Sequence, residues 1–190
     1  MSAKIFRNWI PLACCFLLAA CSTTPALLSK SAVVPAGVDL SGHWQVRQDP
    51  DAMHMPAADG VRRILIPKRQ SSGRREHRKS SGMSAQVFLE YGDSLKITQT
   101  DYGIFISYDR SVVEEYTFGE NRLVTIGPIE ANRVSGWEAN AFVVETLDSD
   151  GTILTESWHL EANKSVLVRS IHMIKGGKEK FALRQVFDRK

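Results

Sequence analysis

The chain has 190 residues, 43% of them hydrophobic and 24% charged, with 24 Lys/Arg against 21 Asp/Glu and a nominal net charge of +3. This length and composition suit one domain or two small ones, and exclude a collagen-like, a disordered or a multi-span membrane protein. The charge is unevenly spread. No acidic residue precedes Asp39, and the stretch 61–80 holds eight basic residues, Arg62, Arg63, Lys68, Arg69, Arg74, Arg75, Arg78 and Lys79, against the single Glu76.

Residues 1–20 have the three-part pattern of an export signal: a basic start with Lys4 and Arg7, an apolar stretch from Trp9 to Ala20, and small residues at its end. The apolar stretch is about 12 residues, short of the roughly 20 that a helix needs to cross a hydrocarbon core. Its last residues, Leu18-Ala19-Ala20-Cys21, resemble the lipobox of bacterial lipoproteins. The resemblance implies cleavage before Cys21, a thioether-linked diacylglycerol on its sulfur, and acylation of the new amino terminus by a palmitate-type chain. Ser22 stands where inner-membrane retention uses Asp, which by the same resemblance implies a lipid anchor in the outer membrane and a domain facing the periplasm. Two or three acyl chains anchor stably where one binds only marginally. All three cysteines, Cys14, Cys15 and Cys21, lie in or at the end of this segment. The chain beyond it therefore has no thiol for a disulfide, a zinc site or a nucleophile.

Loss of Lys4 and Arg7 with the signal leaves a net charge of +1, which is a basic segment at +7 set against an acidic body at −6. Residues 21–38, with Ser, Thr, Ala and Pro, read as a flexible tether, and 39–190 as a single β domain carrying a basic loop over 68–82. From Asp39 onward no helical period of useful length occurs. Short β-rich runs recur instead at 42–47, 62–66, 85–91, 94–99, 103–108, 112–118, 122–126, 139–147, 152–160, 164–173 and 180–187, separated by turn residues such as Gly92-Asp93, Asp101-Tyr102-Gly103, Gly119-Glu120-Asn121 and Gly176-Gly177. Strands at such short intervals predict an all-β antiparallel up-and-down meander, closed into a barrel or strongly curved. Closure removes the sheet edges that invite aggregation.

The C-terminal half predicts a register. Ser149-Asp150-Gly151 fits a three-residue hairpin loop with glycine in the left-handed position, which pairs Phe142 with Trp158, Val144 with Glu156 and Thr146 with Leu154. A turn centred on Ala162-Asn163 then pairs Trp158 with Leu167, Leu154 with Ile171, and Glu156 with Arg169. The apolar row thus holds a carboxylate and a guanidinium directly opposite one another. Two readings apply to them. One is a structural ion pair that specifies register more than it stabilises. The other makes Arg169 an anion-binding group inside a barrel, with Glu156 holding it in place and Trp158 beside it. Arg184 in the last strand is a second candidate for that anion-binding role, with solvent as the alternative side for its row of Ala182, Arg184 and Val186.

The opening Gly42-His43-Trp44 resembles the Gly-x-Trp of the first strand in lipocalins and lipocalin-like bacterial domains, which implies that Trp44 closes the base of a barrel. Further on, Tyr116-Thr117-Phe118-Gly119, Gly136-Trp137-Glu138, Phe142-Val143-Val144-Glu145-Thr146, Glu156-Ser157-Trp158 and Arg184-Gln185-Val186-Phe187-Asp188-Arg189 resemble small bacterial lipoproteins with a lipocalin-like β domain, a group with no established activity to carry over. The chain departs from lipocalins in lacking a disulfide and in carrying the basic insertion.

Low hydrophobicity and high charge predict a mobile basic loop. Near an anionic membrane each Lys/Arg contributes about 1 kcal/mol, so anionic lipid or lipopolysaccharide phosphates are the expected partners of 62–79 if it has any; a solvated loop is the alternative. Nucleic acid is not expected, because the loop has no interleaved aromatic residues for base stacking. Met53-His54-Met55 presents soft ligands suited to Cu(I), but it stands alone among dispersed histidines and no metal or cofactor is expected. No Gly-x-Ser-x-Gly elbow, His-Glu-x-x-His or phosphate loop occurs. Asp148 and Asp150 are accounted for by the turn, and Glu114-Glu115 by an exposed strand edge. The expectation is a binding module for a small apolar or amphipathic ligand, alternatively an envelope-interaction protein acting through 62–79, with a hydrolase as a third reading.

Overall fold

Turn chemistry cuts the chain into short strands. The computed structural model describes residues 25–47 and 84–190, and they contain ten strands: β1 (Gly42–Val46), β2 (Ser94–Gln99), β3 (Gly103–Tyr108), β4 (Val112–Thr117), β5 (Glu120–Ile126), β6 (Ile129–Glu138), β7 (Ala141–Asp148), β8 (Thr152–Glu161), β9 (Val166–Lys175) and β10 (Lys178–Arg189). A 3₁₀ turn, Ser84–Phe88, precedes β2, and another, Ala162–Lys164, joins β8 to β9. The strands form one antiparallel sheet in the order β4-β3-β2-β1-β10-β9-β8-β7-β6-β5. Every strand lies beside its sequence neighbours except at one place. The first and last strands, β1 and β10, pair with each other, while the consecutive β4 and β5 share no ladder.

The result is a nearly closed barrel with its seam between β4 and β5, so the all-β antiparallel meander expected from the sequence is the fold. The seam is bridged without a ladder. Gly119 N–H donates to Ser135 O (2.8 Å), and the Ser135 hydroxyl to Thr117 O (2.8 Å).

Alternation along each strand sends one row of side chains inward. The barrel has two ends. The turns that follow β2, β4, β6 and β8 lie at one, the Trp44 end; those that follow β3, β5, β7 and β9 lie at the other, the Asp148 end. Leu40, Trp44, Phe118, Trp137, Phe142, Leu167 and Phe187 fill the Trp44 end, where Phe118, Trp137 and Phe142 meet edge to face at 5.3–5.8 Å. Each such burial contributes about 1.5–3 kcal/mol. Trp44 is fixed at one edge and on one face: its indole N–H donates to Leu40 O (3.1 Å), and the Arg189 guanidinium lies over its ring at 4.3 Å. Gly42 makes this possible, since a Cβ there would come within 2.8 Å of Arg189 Nη1.

The Asp148 end is filled by the residues that lead into β2. Ala85, Phe88 and Leu89 pack on Ala131, Leu154, Ile171, Met173 and Phe181. This corrects the strand expected over 85–91: Ala85 and Phe88, three apart, fall on one side of a 3₁₀ turn. The Asp148 carboxylate holds the turn, accepting from Ser84 Oγ (2.7 Å) and Ala85 N (2.9 Å) while also accepting from the backbone N–H groups of Asp150 (2.9 Å) and Thr152 (2.8 Å).

The part of the expected tether that falls within the described chain, 25–38, is packed on the barrel. Ser31 pairs with Trp137 through both backbone bonds (3.2 and 2.9 Å). The ammonium of Lys30 is buried, in ion pairs with Glu138 and with Glu145 (2.8 Å). Burial works against that charge, and the two carboxylates outweigh it and raise the pKa of Lys30 above the ordinary lysine value. Gly136 gives this strap its room: at φ +154, a Cβ there would stand 2.5 Å from Ser31 O.

Candidate functional site inside the barrel

The predicted pairing of β7 with β8 is present: Phe142 faces Trp158, Val144 faces Glu156, and Thr146 faces Leu154. The predicted pairing of β8 with β9 is displaced by two residues. Trp158 faces Arg169, Glu156 faces Ile171, and Leu154 faces Met173. The cause is the connection, which spans four residues because Asn163 (φ 55°) and Lys164 (φ 71°) both take left-handed conformations. A shift of two keeps every side chain on its face. Glu156 and Arg169 therefore remain on the inner face, as diagonal rather than direct neighbours.

They are still partners. Arg169 Nε donates to Glu156 Oε2 (3.0 Å) and Nη2 donates to the same oxygen, while Nη1 donates to Gln185 Oε1 (3.1 Å) on β10. Arg169 is 0% and Glu156 3% exposed, which makes this a fully desolvated pair. The guanidinium lies 4.5 Å from the Trp158 ring and 5.4 Å from that of Tyr108, a contact worth up to about 2 kcal/mol when desolvated. Burial opposes the charge of Arg169; Glu156 and Tyr108 outweigh burial and raise its pKa above the ordinary arginine value. Burial also pushes the phenols of Tyr108 and Tyr116 well above the usual tyrosine range. Both stay neutral hydrogen-bonding groups.

A second buried guanidinium, Arg133 on β6, was not anticipated. Its Nε donates to Thr146 Oγ1 (3.1 Å), its Nη1 pairs with Glu114 Oε2 across the seam (3.4 Å), and its plane lies 5.5 Å from Phe88 and 5.6 Å from Tyr116. Glu114 is thus an inward residue of β4 and not part of an exposed edge. The segment 129–138 is not among the β-rich runs of the sequence; it carries Glu130, Asn132, Arg133, Ser135 and Gly136. The period-two row Ala131-Arg133-Ser135-Trp137 after Gly127-Pro128 was the available signal, weakened because its inner side chains are half polar. Glu90, just after the 3₁₀ turn, completes the group. Burial first, and then Glu114, push its carboxyl up, and Arg169 works in the opposite direction.

The interior therefore carries two Arg/carboxylate pairs lined by aromatic faces, and among the described residues three buried side-chain groups lack a hydrogen-bond partner: the indole N–H of Trp137 at the Trp44 end, the hydroxyl of Thr152 at the Asp148 end, and, beside Arg169, the indole N–H of Trp158. Trp158 is 1% exposed. Arg169 uses three of its five N–H groups in the bonds above. Two of its donors and that of Trp158 are left in one buried neighbourhood.

The other sequence-predicted residues stand apart from this site. Arg184 lies on the outer face, exposed, and pairs with Glu161 at 3.4 Å. Cys21, the eight basic residues from Arg62 to Lys79, Met53-His54-Met55 and the strand expected over 62–66 lie outside the described residues. Among the described residues, no cluster of three His, Cys, Asp or Glu could hold a metal, and no helix is long and apolar enough to cross a membrane.

No family model and no curated protein matches the chain. Solved structures resemble it at low identity. The REP1-NXSQ fatty acid transporter is 13% identical with a TM-score of 0.44, over 80% of this chain and 96% of that one. Apo lipid binding protein 8 of Caenorhabditis elegans is 11% identical with a TM-score of 0.48, over 82% and 100%. Secretory abundant heat soluble protein 4 of Ramazzottius varieornatus is 9% identical with a TM-score of 0.46, over 87% and 99%.

Proposed function

We propose that the chain is an outer-membrane lipoprotein, anchored through acylated Cys21 and facing the periplasm, whose barrel binds a small amphipathic molecule. The apolar part of the ligand would lie among Leu154, Leu167 and the aromatic side chains, and its hydrogen-bond-accepting head at Arg169 and Trp158. The observation that carries this reading is the pair of unspent Arg169 donors beside the partnerless Trp158 N–H. A buried donor without an acceptor costs about 1–3 kcal/mol, and a bound acceptor group removes that cost. Glu156 and Gln185 act as positioning residues that hold the guanidinium plane against the indole.

Native mass spectrometry of the protein extracted from its own envelope tests the reading. A retained small molecule, lost in Arg169→Met together with Glu156→Met, is the expected result. A protein that emerges empty, and whose Trp emission does not respond to a panel of long-chain acids, alcohols and amides, would sink it.

The excess of basic residues in 61–80 supports a second role, contact with anionic lipid or lipopolysaccharide phosphates. Binding to anionic vesicles should weaken when Arg74, Arg75, Arg78 and Lys79 are neutralised together, and unchanged binding would remove this role.

A further inference from the structure

The path of the strap sets how the barrel stands on a membrane, and we infer that the Asp148 end faces the bilayer. This rests on the proposed acylation of Cys21. Pro25 lies at the Asp148 end, its Cγ 3.8 Å from the Cβ position of Gly151 in the β7–β8 turn. From there the strap runs along the outer face to Lys30 and Ser31, then to the Trp44 end, where Lys164 Nζ donates to Gly37 O (2.6 Å) before the chain enters β1.

Only four Cα-to-Cα steps separate Cys21 from Pro25, a reach of about 14 Å at full extension. The ten-residue strands β6, β8 and β9 run about 33 Å from end to end. With the strap docked, the acyl chains reach past the near end of the barrel and not to the far one. If the strap came free, the same lipid would hold the barrel on a leash of 18 residues, about 60 Å at full stretch, and no end would be favoured.

At the Asp148 end the β5–β6 turn offers an apolar tip, exposed Ile126 followed by Gly127 and Pro128. The chain that follows the basic segment also rejoins the described structure at this end, at Ser84.

Depth-dependent quenching tests the orientation. The acylated protein, with Cys21 blocked by its lipid, is given a single new thiol at Pro128→Cys, Lys178→Cys or Asn140→Cys. Each is labelled with a fluorophore and placed in phosphatidylethanolamine/phosphatidylglycerol vesicles containing lipids with a spin label near the headgroup. Quenching several-fold stronger at 128 and 178 than at 140 is expected, and Lys30→Ala, which leaves Glu138 and Glu145 facing each other, should abolish the difference. Equal quenching at all three sites, or stronger quenching at 140, in protein whose Cys21 carries acyl chains by mass would overturn the orientation and leave the anchor standing. A difference that survives Lys30→Ala would overturn the strap as its cause. A Cys21 without acyl chains would overturn both the anchor and the orientation.

Discussion

Arg169 stands directly opposite Trp158 across the β8–β9 ladder and lies 4.5 Å over its indole, while its charge partner Glu156 sits diagonally, two residues away. One side chain thus has an aromatic face beneath it, a carboxylate at one edge and an amide at the other. The arrangement costs desolvation of two charges and returns a guanidinium locked in one plane.

The first prediction follows from that cost. Arg169→Met leaves Glu156 buried without its cation and should lower stability by about 3–5 kcal/mol. Arg169→Met combined with Glu156→Met removes both charges and should recover most of the loss. Urea unfolding of the two variants checks this, and a double variant as unstable as the single one would mean that the pair contributes far more than neutral packing.

Asp148 predicts acid sensitivity. Burial raises its pKa, but the hydrogen bonds from Ser84, Thr152, Ala85 and Asp150 outweigh burial and hold the carboxyl below the usual aspartate value. Its folded pKa is therefore below its unfolded one, so its contribution is complete well above the unfolded value of about 3.9 and is lost as pH falls through the folded value. Asp148→Ala should cost about 2–3 kcal/mol at pH 7 and flatten the acid limb of the stability curve. Thermal unfolding between pH 2.5 and 7 reads both effects.

Glu90 predicts the opposite slope. Burial raises its folded pKa above the unfolded value, so the stability it contributes is present below about pH 4.3 and lost as pH rises through the folded value. Glu90→Gln should raise the Tm at pH 7 relative to the parent and leave it nearly unchanged at pH 4. A parent whose Tm responds identically to the variant at both pH values would show that Glu90 does not couple to folding.

Gly136 predicts the hold of the strap. Alanine there would place a methyl 2.5 Å from Ser31 O at a φ of +154°, which the strap must yield to accommodate. Hydrogen exchange of the Ser31 amide should accelerate by more than tenfold in Gly136→Ala, while amides at the centre of β8 and β9 keep their protection. Exchange at Ser31 that matches the parent would mean that the strap accommodates the methyl in place.

Much of the fold was legible because turns are local. The strands at Ser94–Gln99 and Gly103–Tyr108 lie where the sequence places them, since the stop between them, Asp101-Tyr102-Gly103, needs only its own backbone preferences. The inward face of β7, β8 and β9 was equally accessible, because alternation has a period of two and survives a displaced register. The offset between β8 and β9 was not, since it depends on two consecutive left-handed residues, one of them a lysine. β6 escaped because its inner row holds Arg133 and Ser135, residues that read as solvent-facing until Glu114 and Thr146 arrive from other strands to satisfy them.

By itself, then, the sequence determined where most of the strands begin and end, which side chains of β7, β8 and β9 share a face, and that Glu156 and Arg169 would share one, all consequences of backbone preferences acting over a few residues. Only the tertiary structure decided that β1 closes on β10 and leaves the seam at β4/β5, that a second guanidinium enters the interior, and that residues 25–38 lie along the barrel. These depend on which distant groups meet: a lysine finding two carboxylates, a glycine making room for a passing backbone, an arginine finding an indole. Such encounters are set by long-range closure of the sheet, which no local stretch of sequence encodes.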